Sequence, residues 1–103
     1  EKVPKRVEKL IEVGKGYFFD TEEEQLFYND LAVKLTIKER GLLKILIRAK
    51  GKIVKFEKIE NELWHGETVN NTSLRTLIYR LRSKLEHKLI ESEFNVGIKL
   101  LSL

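Results

Sequence analysis

The segment Asn71–Lys88, NTSLRTLIYRLRSKLEHK, gathers the groups best suited to chemistry with an anionic partner. It holds Arg75, Arg80, Arg82, Lys84 and Lys88 against a single acid, Glu86. The other fifteen basic and fifteen acidic side chains of the 103-residue chain cancel, so the whole formal charge of +4 resides in this stretch. A neutral scaffold with one concentrated basic element is the electrostatic footprint of a nucleic-acid reader. At about 100° per residue, Leu74, Leu77, Ile78, Leu81 and Leu85 fall on one stripe of a helix. Arg75, Thr76, Tyr79, Arg80, Arg82 and Ser83 fall on the opposite side or its flanks. The apolar stripe would anchor the helix to a core. The other face would present guanidinium forks, hydroxyls and a phenol, which can hydrogen-bond base edges and phosphates in a major groove wide enough for a helix. The same pattern also describes an ordinary surface helix with solvated arginines. The surrounding elements must decide between the two.

No competing chemistry is visible. His65 and His87 lie far apart without accompanying ligand spacing, so no metal site is expected and both read as surface or capping residues. There is no Gly-rich phosphate loop, nucleophile elbow or catalytic dyad, hence no expected enzyme activity and no expected cofactor. Trp64 reads as a core anchor, and the acidic run Glu22–Glu24 as a solvated turn. No apolar run approaches the ~20 residues needed to span a bilayer, so no membrane association is expected. With no cysteine, disulfides and thiolate metal sites are excluded, compatible with a cytoplasmic protein. The chain starts at Glu1 and contains no methionine, which reads as a domain cut from a longer protein.

Residues 1–15 read as a linker end, with the only proline, Pro4, running into a possible first strand over Val7–Val13. Short β-like runs follow at Tyr17–Phe19, Gln25–Tyr28 and Ala32–Leu35, separated by turns at Glu22–Glu24 and Asn29–Asp30. Connections this short predict an antiparallel meander. Thr36-Ile37-Lys38-Glu39 is a capping-box pattern opening a helix that is apolar over more than one face, with Gly51 as its stop. Lys52–Val54 reads as a short extended link and Phe56–Leu63 as a second helix. Trp64–Asn70 forms a loop around Gly66. Asn71 and Thr72 either cap the basic helix or contact phosphate. Leu89–Glu93 and Ile98–Leu103 flank a hairpin turn in which Asn95 and Gly97 can tolerate positive φ.

These residues resemble the winged-helix effector domain of OmpR/PhoB-type response regulators from about Tyr17 to Leu100. The family's LT-x-x-E-x-x-LL-x-x-L pattern stands as Leu35-Thr36-Ile37-Lys38-Glu39-Arg40-Gly41-Leu42-Leu43-Lys44-Ile45-Leu46. Its G-x-x-V stands as Gly51-Lys52-Ile53-Val54, and its second-helix tryptophan as Trp64. Its recognition-helix ending, I-x-x-LR-x-KL, stands as Ile78-Tyr79-Arg80-Leu81-Arg82-Ser83-Lys84-Leu85. The resemblance implies an α+β winged helix-turn-helix over residues 16–103, with an N-terminal antiparallel sheet, a three-helix core and a C-terminal β-hairpin wing. It further implies a sequence-specific transcriptional regulator that binds double-stranded DNA as a head-to-tail tandem homodimer, often behind a phosphorylatable receiver. Contact with RNA polymerase is implied for the loop before the recognition helix, here His65, Gly66, Glu67, Thr68 and Val69.

On this reading the DNA-facing residues are Thr72, Arg75, Thr76, Tyr79, Arg80, Arg82, Ser83, Lys84 and Lys99. Arg82 and Lys84 lie near the apolar flanks and hold either phosphates or internal acids. Lys99 on the wing reaches backbone phosphate or stays solvated. Two positions depart from the family. Arg75 stands where an acid is common. In the wing, Ser92-Glu93-Phe94-Asn95-Val96-Gly97-Ile98 replaces T-V-R-G-x-G-Y, with Phe94 in the arginine's place. Phe94 packs on sugar, sits in the core or serves a partner. The altered wing motivates an alternative reading, a winged-helix protein-interaction module with weak or no specific DNA binding.

Overall fold

The computed structural model describes residues 10–65 and 71–101. Four strands open the fold: β1 (Leu10–Gly14), β2 (Tyr17–Asp20), β3 (Gln25–Tyr28) and β4 (Leu31–Val33). They form the expected antiparallel meander in the order β1-β2-β3-β4. Residues 7–9 of the anticipated first strand lie outside the described residues. The β3–β4 hairpin turns on Asn29 and Asp30 at φ 52 and 66. Positive φ at both central residues gives the turn the hand that matches strand twist, and Asn and Asp tolerate it. The β2–β3 connection is organised by Asp20, whose Oδ1 accepts from the Glu22 and Glu23 amides at 2.8 and 3.0 Å. Glu24 in this turn is held to the following helix by Lys44, 2.6 Å away. That hydrogen bond and charge lower its carboxyl from the ordinary value.

Helix α1 (Ile37–Arg48) starts at the predicted box: Glu39 N donates to Thr36 Oγ1 at 3.2 Å and Thr36 N donates to Glu39 Oε1 at 2.9 Å. It stops at Lys50 and Gly51, both with positive φ (53 and 83). Leu42, Leu43, Ile45, Leu46 and Ile47 are all buried, so α1 is the centre of the core. Against it pack Val13, Tyr17, Phe19 and Leu26 from the first sheet, Ile59, the apolar face of residues 74–81, and Leu89, Ile90, Ile98 and Leu100. Helix α2 (Phe56–Trp64) closes on α1 with Leu63 over Gly41, where a Cβ would stand 2.8 Å from Leu63 Cδ2 and turn that side chain aside. Trp64 is half-buried against the core, with the Lys38 ammonium 5.1 Å from its ring centre.

Helix α3 (Asn71–Ser83) ends five residues before the expected Lys88. The apolar period continues to Leu85, but the backbone tightens: Lys84 N donates to Leu81 O and Leu85 N to Arg82 O, both at 3.1 Å. The Glu86 amide then goes to the Tyr17 hydroxyl at 2.7 Å instead of to a helical carbonyl. Tyr17 stacks on Tyr28 with ring centres 4.4 Å apart, and Tyr28 Oη lies 2.8 Å from His87 Nε2. The first sheet therefore captures the chain leaving α3 and ends the helix.

The C-terminal hairpin pairs β6 (Ile90–Glu93) with β7 (Gly97–Leu100). The expected link over 52–54 is more than a link: Val54 and Lys55 form β5, giving a second sheet in the order β5-β7-β6. Gly97 has a different task from the one expected. Positive φ falls on Asn95, at 61, and not on Gly97. Gly97 instead lets β7 approach β5, because a Cβ would lie 1.9 Å from the Val54 carbonyl oxygen.

Candidate nucleic-acid interface

The two sides of α3 separate as its periodicity demands. Leu74, Leu77, Ile78 and Leu81 are buried. Arg75, Tyr79, Arg80, Arg82 and Ser83 are exposed, and Thr76 is half-buried. No hydrogen bond or ion pair from the Arg75 or Arg80 guanidinium or the Tyr79 phenol forms among the described residues. Tyr79 is 72% exposed, unusually bare for an aromatic unless something stacks on it. Ser83 Oγ donates to the Tyr79 carbonyl at 2.8 Å, so its proton is committed while its lone pairs stay outward. Thr72 lies in the first turn of α3, and its side chain is outside the described residues.

Arg82 and Lys84 are already engaged. Arg82 Nη2 donates to the Ile90 carbonyl at 3.1 Å and to Ser92 Oγ at 2.9 Å, bolting the end of α3 to the wing strand β6. Lys84 Nζ lies 2.6 Å from Glu39 Oε1, the internal acid among its two expected partners. Glu39 is buried at 1% exposure. Burial alone would raise its carboxyl, but the Lys84 ammonium and the Thr36 amide outweigh burial and hold it below its ordinary value. Its contribution is therefore present above the ordinary carboxylate range and lost as pH falls through the lowered value. Lys84→Met is expected to cost about 1–2 kcal/mol at pH 7, allowing for the one-third exposure of Lys84. In urea unfolding the difference from wild type should shrink between pH 7 and an acid pH below the lowered value of Glu39, where its carboxyl takes up a proton. An equal difference at both pH values would contradict the ion pair's role.

Beside α3 stands the wing. Between them lies a cleft of about 420 Å³, lined by Leu74, Arg75, Ile78, Tyr79 and Arg82 of α3, by Ser92, Glu93, Phe94 and Asn95 of the wing, and by Phe56 and Glu60 of α2. Sequence reasoning did not connect Phe56 or Glu60 with this surface, because nothing local marks which side of α2 turns toward α3. Lys99 is half-buried on β7, opposite Glu91. Phe94 is 85% exposed, which removes the core from its three expected roles. His65 closes α2 in the left-handed conformation at φ 53. Gly66, Glu67, Thr68 and Val69 lie outside the described residues. Among the described residues no cluster of His, Cys, Asp and Glu gathers that could hold a metal ion, and no helix is long and apolar enough to cross a membrane.

A sheet, three helices of which the last two form a helix-turn-helix, and a hairpin bolted to the third helix define a winged helix-turn-helix. Residues 30–100 match the family described as transcriptional regulatory protein, C terminal, and the chain belongs to that family. Its fold is that of the winged-helix effector domains of OmpR/PhoB-type response regulators. The transcriptional regulator HilA of Salmonella typhi is 35% identical over 94 residues, 84% of this chain, and the chain spans only 17% of HilA. The Klebsiella pneumoniae RstA DNA-binding domain, solved in complex with the RstA box, has the same fold: TM-score 0.76 at 23% identity, covering 89% of this chain and 96% of that one. So does the Thermotoga maritima response regulator DrrB, an OmpR/PhoB homologue, with TM-score 0.78 at 24% identity, covering 89% of this chain and 44% of that one.

Proposed function

We propose that α3 enters the major groove of double-stranded DNA and reads sequence there, with Arg75, Thr76, Tyr79, Arg80 and Ser83 as its contact residues. The observation that carries this reading is the pair of exposed guanidiniums, Arg75 and Arg80, on a helix whose other side is locked into the core. Arg75 lies early on α3, where recognition helices usually meet base edges, and its fork suits guanine O6 and N7. Arg80 lies nearer the backbone end and neutralises phosphate. Arg82 and Lys84 act through position: Arg82 sets the wing against α3, and Lys84 holds the α3 exit on α1. Thr72 caps the helix or meets phosphate, and Lys99 approaches phosphate from the wing.

The functional unit is residues 16–103, with 1–15 as the linker end and first strand. Two copies lie head to tail on direct repeats, and the loop His65–Val69 meets RNA polymerase. The protein works in the cytoplasm, where its DNA is, and the domain performs no catalysis. The role of a phosphorylated receiver, as in response regulators, belongs to the same proposal. The test is a fluorescence-anisotropy titration on a duplex selected from a randomised pool. Enrichment of a common sequence and nanomolar-to-micromolar binding support the reading. No binding to any duplex at low salt transfers it to the protein-interaction alternative.

A further inference from the structure

We propose that Phe94 is a minor-groove wedge: an apolar side chain that enters between sugar edges beside the α3 site and opens a base step there. The proposal rests on the α3 reading above. Its first support is the contrast between an exposed aromatic and a rigid mount. Phe94 is 85% exposed, with Val96 beside it at 37%. The turn beneath it is closed by Val96 N donating to Glu93 O at 3.0 Å, with Asn95 at φ 61. Phe56 N donates to Val96 O at 3.2 Å, and β7 is paired on both sides. Arg82 ties β6 to α3. The ring is therefore carried at a set displacement from α3, without a packing partner of its own in the domain core.

Continuity supplies the second support. Phe94 lines the same cleft as Arg75 and Tyr79, so the wing tip faces the surface assigned to DNA. With α3 in a major groove, the cleft takes the sugar-phosphate strand that separates it from the adjacent minor groove. Charge bears only on the kind of contact, since an acidic wing is repelled by phosphate. Across Ile90–Leu100 the wing has two acids, Glu91 and Glu93, and one cation, Lys99. An acidic wing without a cation at its tip gains little from phosphate or from the negative potential of a narrow groove. Apolar contact remains, and inserted Phe side chains unstack base steps and kink the duplex in just this setting. The wing would then prefer easily opened pyrimidine–purine steps over stiff A-tracts.

The test uses the full 103-residue chain and a selected duplex carrying 2-aminopurine at successive steps flanking the α3 site. Wild type should raise 2-aminopurine fluorescence at one step. Phe94→Ala should abolish that rise and weaken binding roughly tenfold. The salt slope should stay unchanged, because the ring neutralises no phosphate. Unchanged affinity and unchanged fluorescence in Phe94→Ala would overturn the wedge while leaving α3 intact. Lost pairing on a two-site duplex with normal single-site binding would overturn it in favour of a contact between neighbouring copies. Wild type that binds no duplex would overturn the α3 reading and this proposal together.

Discussion

Replacing Arg75 and Arg80 together by alanine is expected to weaken binding to the selected duplex by about 2–4 kcal/mol, roughly 30- to 900-fold in Kd. Two properties make this pair the decisive one. Both side chains are exposed and make no hydrogen bond or ion pair among the described residues, so removing them should leave thermal stability near wild type. Both also stand on the side of α3 turned away from Leu74, Leu77, Ile78 and Leu81, so their loss does not disturb the helix's seat. Arg82→Ala is a poorer probe, because it also strands the Ile90 carbonyl and Ser92 hydroxyl and frees the wing. Anisotropy titration checks the pair directly. A change under twofold, with fold retained, would remove α3 as the reader.

The second large effect is on stability, at Gly97. Glycine to alanine in a strand is ordinarily mild, but here the added methyl would meet the Val54 carbonyl oxygen at 1.9 Å and its carbon at 2.7 Å. Those are backbone atoms, which cannot rotate away as a side chain can. The β5–β7 pairing of Val54 with Ile98 and Lys55 with Gly97 must open, and with it the bond from Phe56 N to Val96 O. Gly97→Ala should therefore cost at least about 3 kcal/mol, the upper end for overpacked sites. That corresponds to roughly 10–20 °C in Tm for a domain of this size. Because β5 leads directly into α2, the same change should weaken DNA binding beyond its effect on stability. A loss below about 1 kcal/mol in urea unfolding would contradict the close approach.

Local chemistry carried much of this into the sequence. The Thr36–Glu39 box, the Asn29–Asp30 turn and the short β-like runs of the first sheet are short-range signals, and all three are realised. The apolar stripe of α3 was equally legible, since burial follows the 3.6-residue period. What stayed hidden depended on distant partners. The end of α3 is decided by Tyr17, sixty-nine residues from Glu86, and the helical pattern through Leu85 gives no hint of it. Gly97 looks like a turn glycine until β5 is placed against it. The task of Arg82 depends on Ser92 in the wing, ten residues on, and that of Lys84 on Glu39, forty-five residues back. In the candidate interface, the composition singled out the α3 helix, whose basic side is exposed in the fold. Only the fold divides its cations into Arg75 and Arg80, which are free of internal duties among the described residues, and Arg82 and Lys84, which hold the framework.

The central claim, that the exposed cations of α3 neutralise DNA phosphate and read bases, is tested most directly by salt dependence. The measurement is Kd for the selected duplex over a series of salt concentrations, for wild type and for the Arg75→Ala, Arg80→Ala variant. Each phosphate contact contributes about 0.9 to the slope of log K against log salt. The account predicts a steep negative slope for wild type and a slope shallower by about 1–2 in the variant. Equal slopes in the two proteins, or binding by wild type that does not respond to salt, would contradict it.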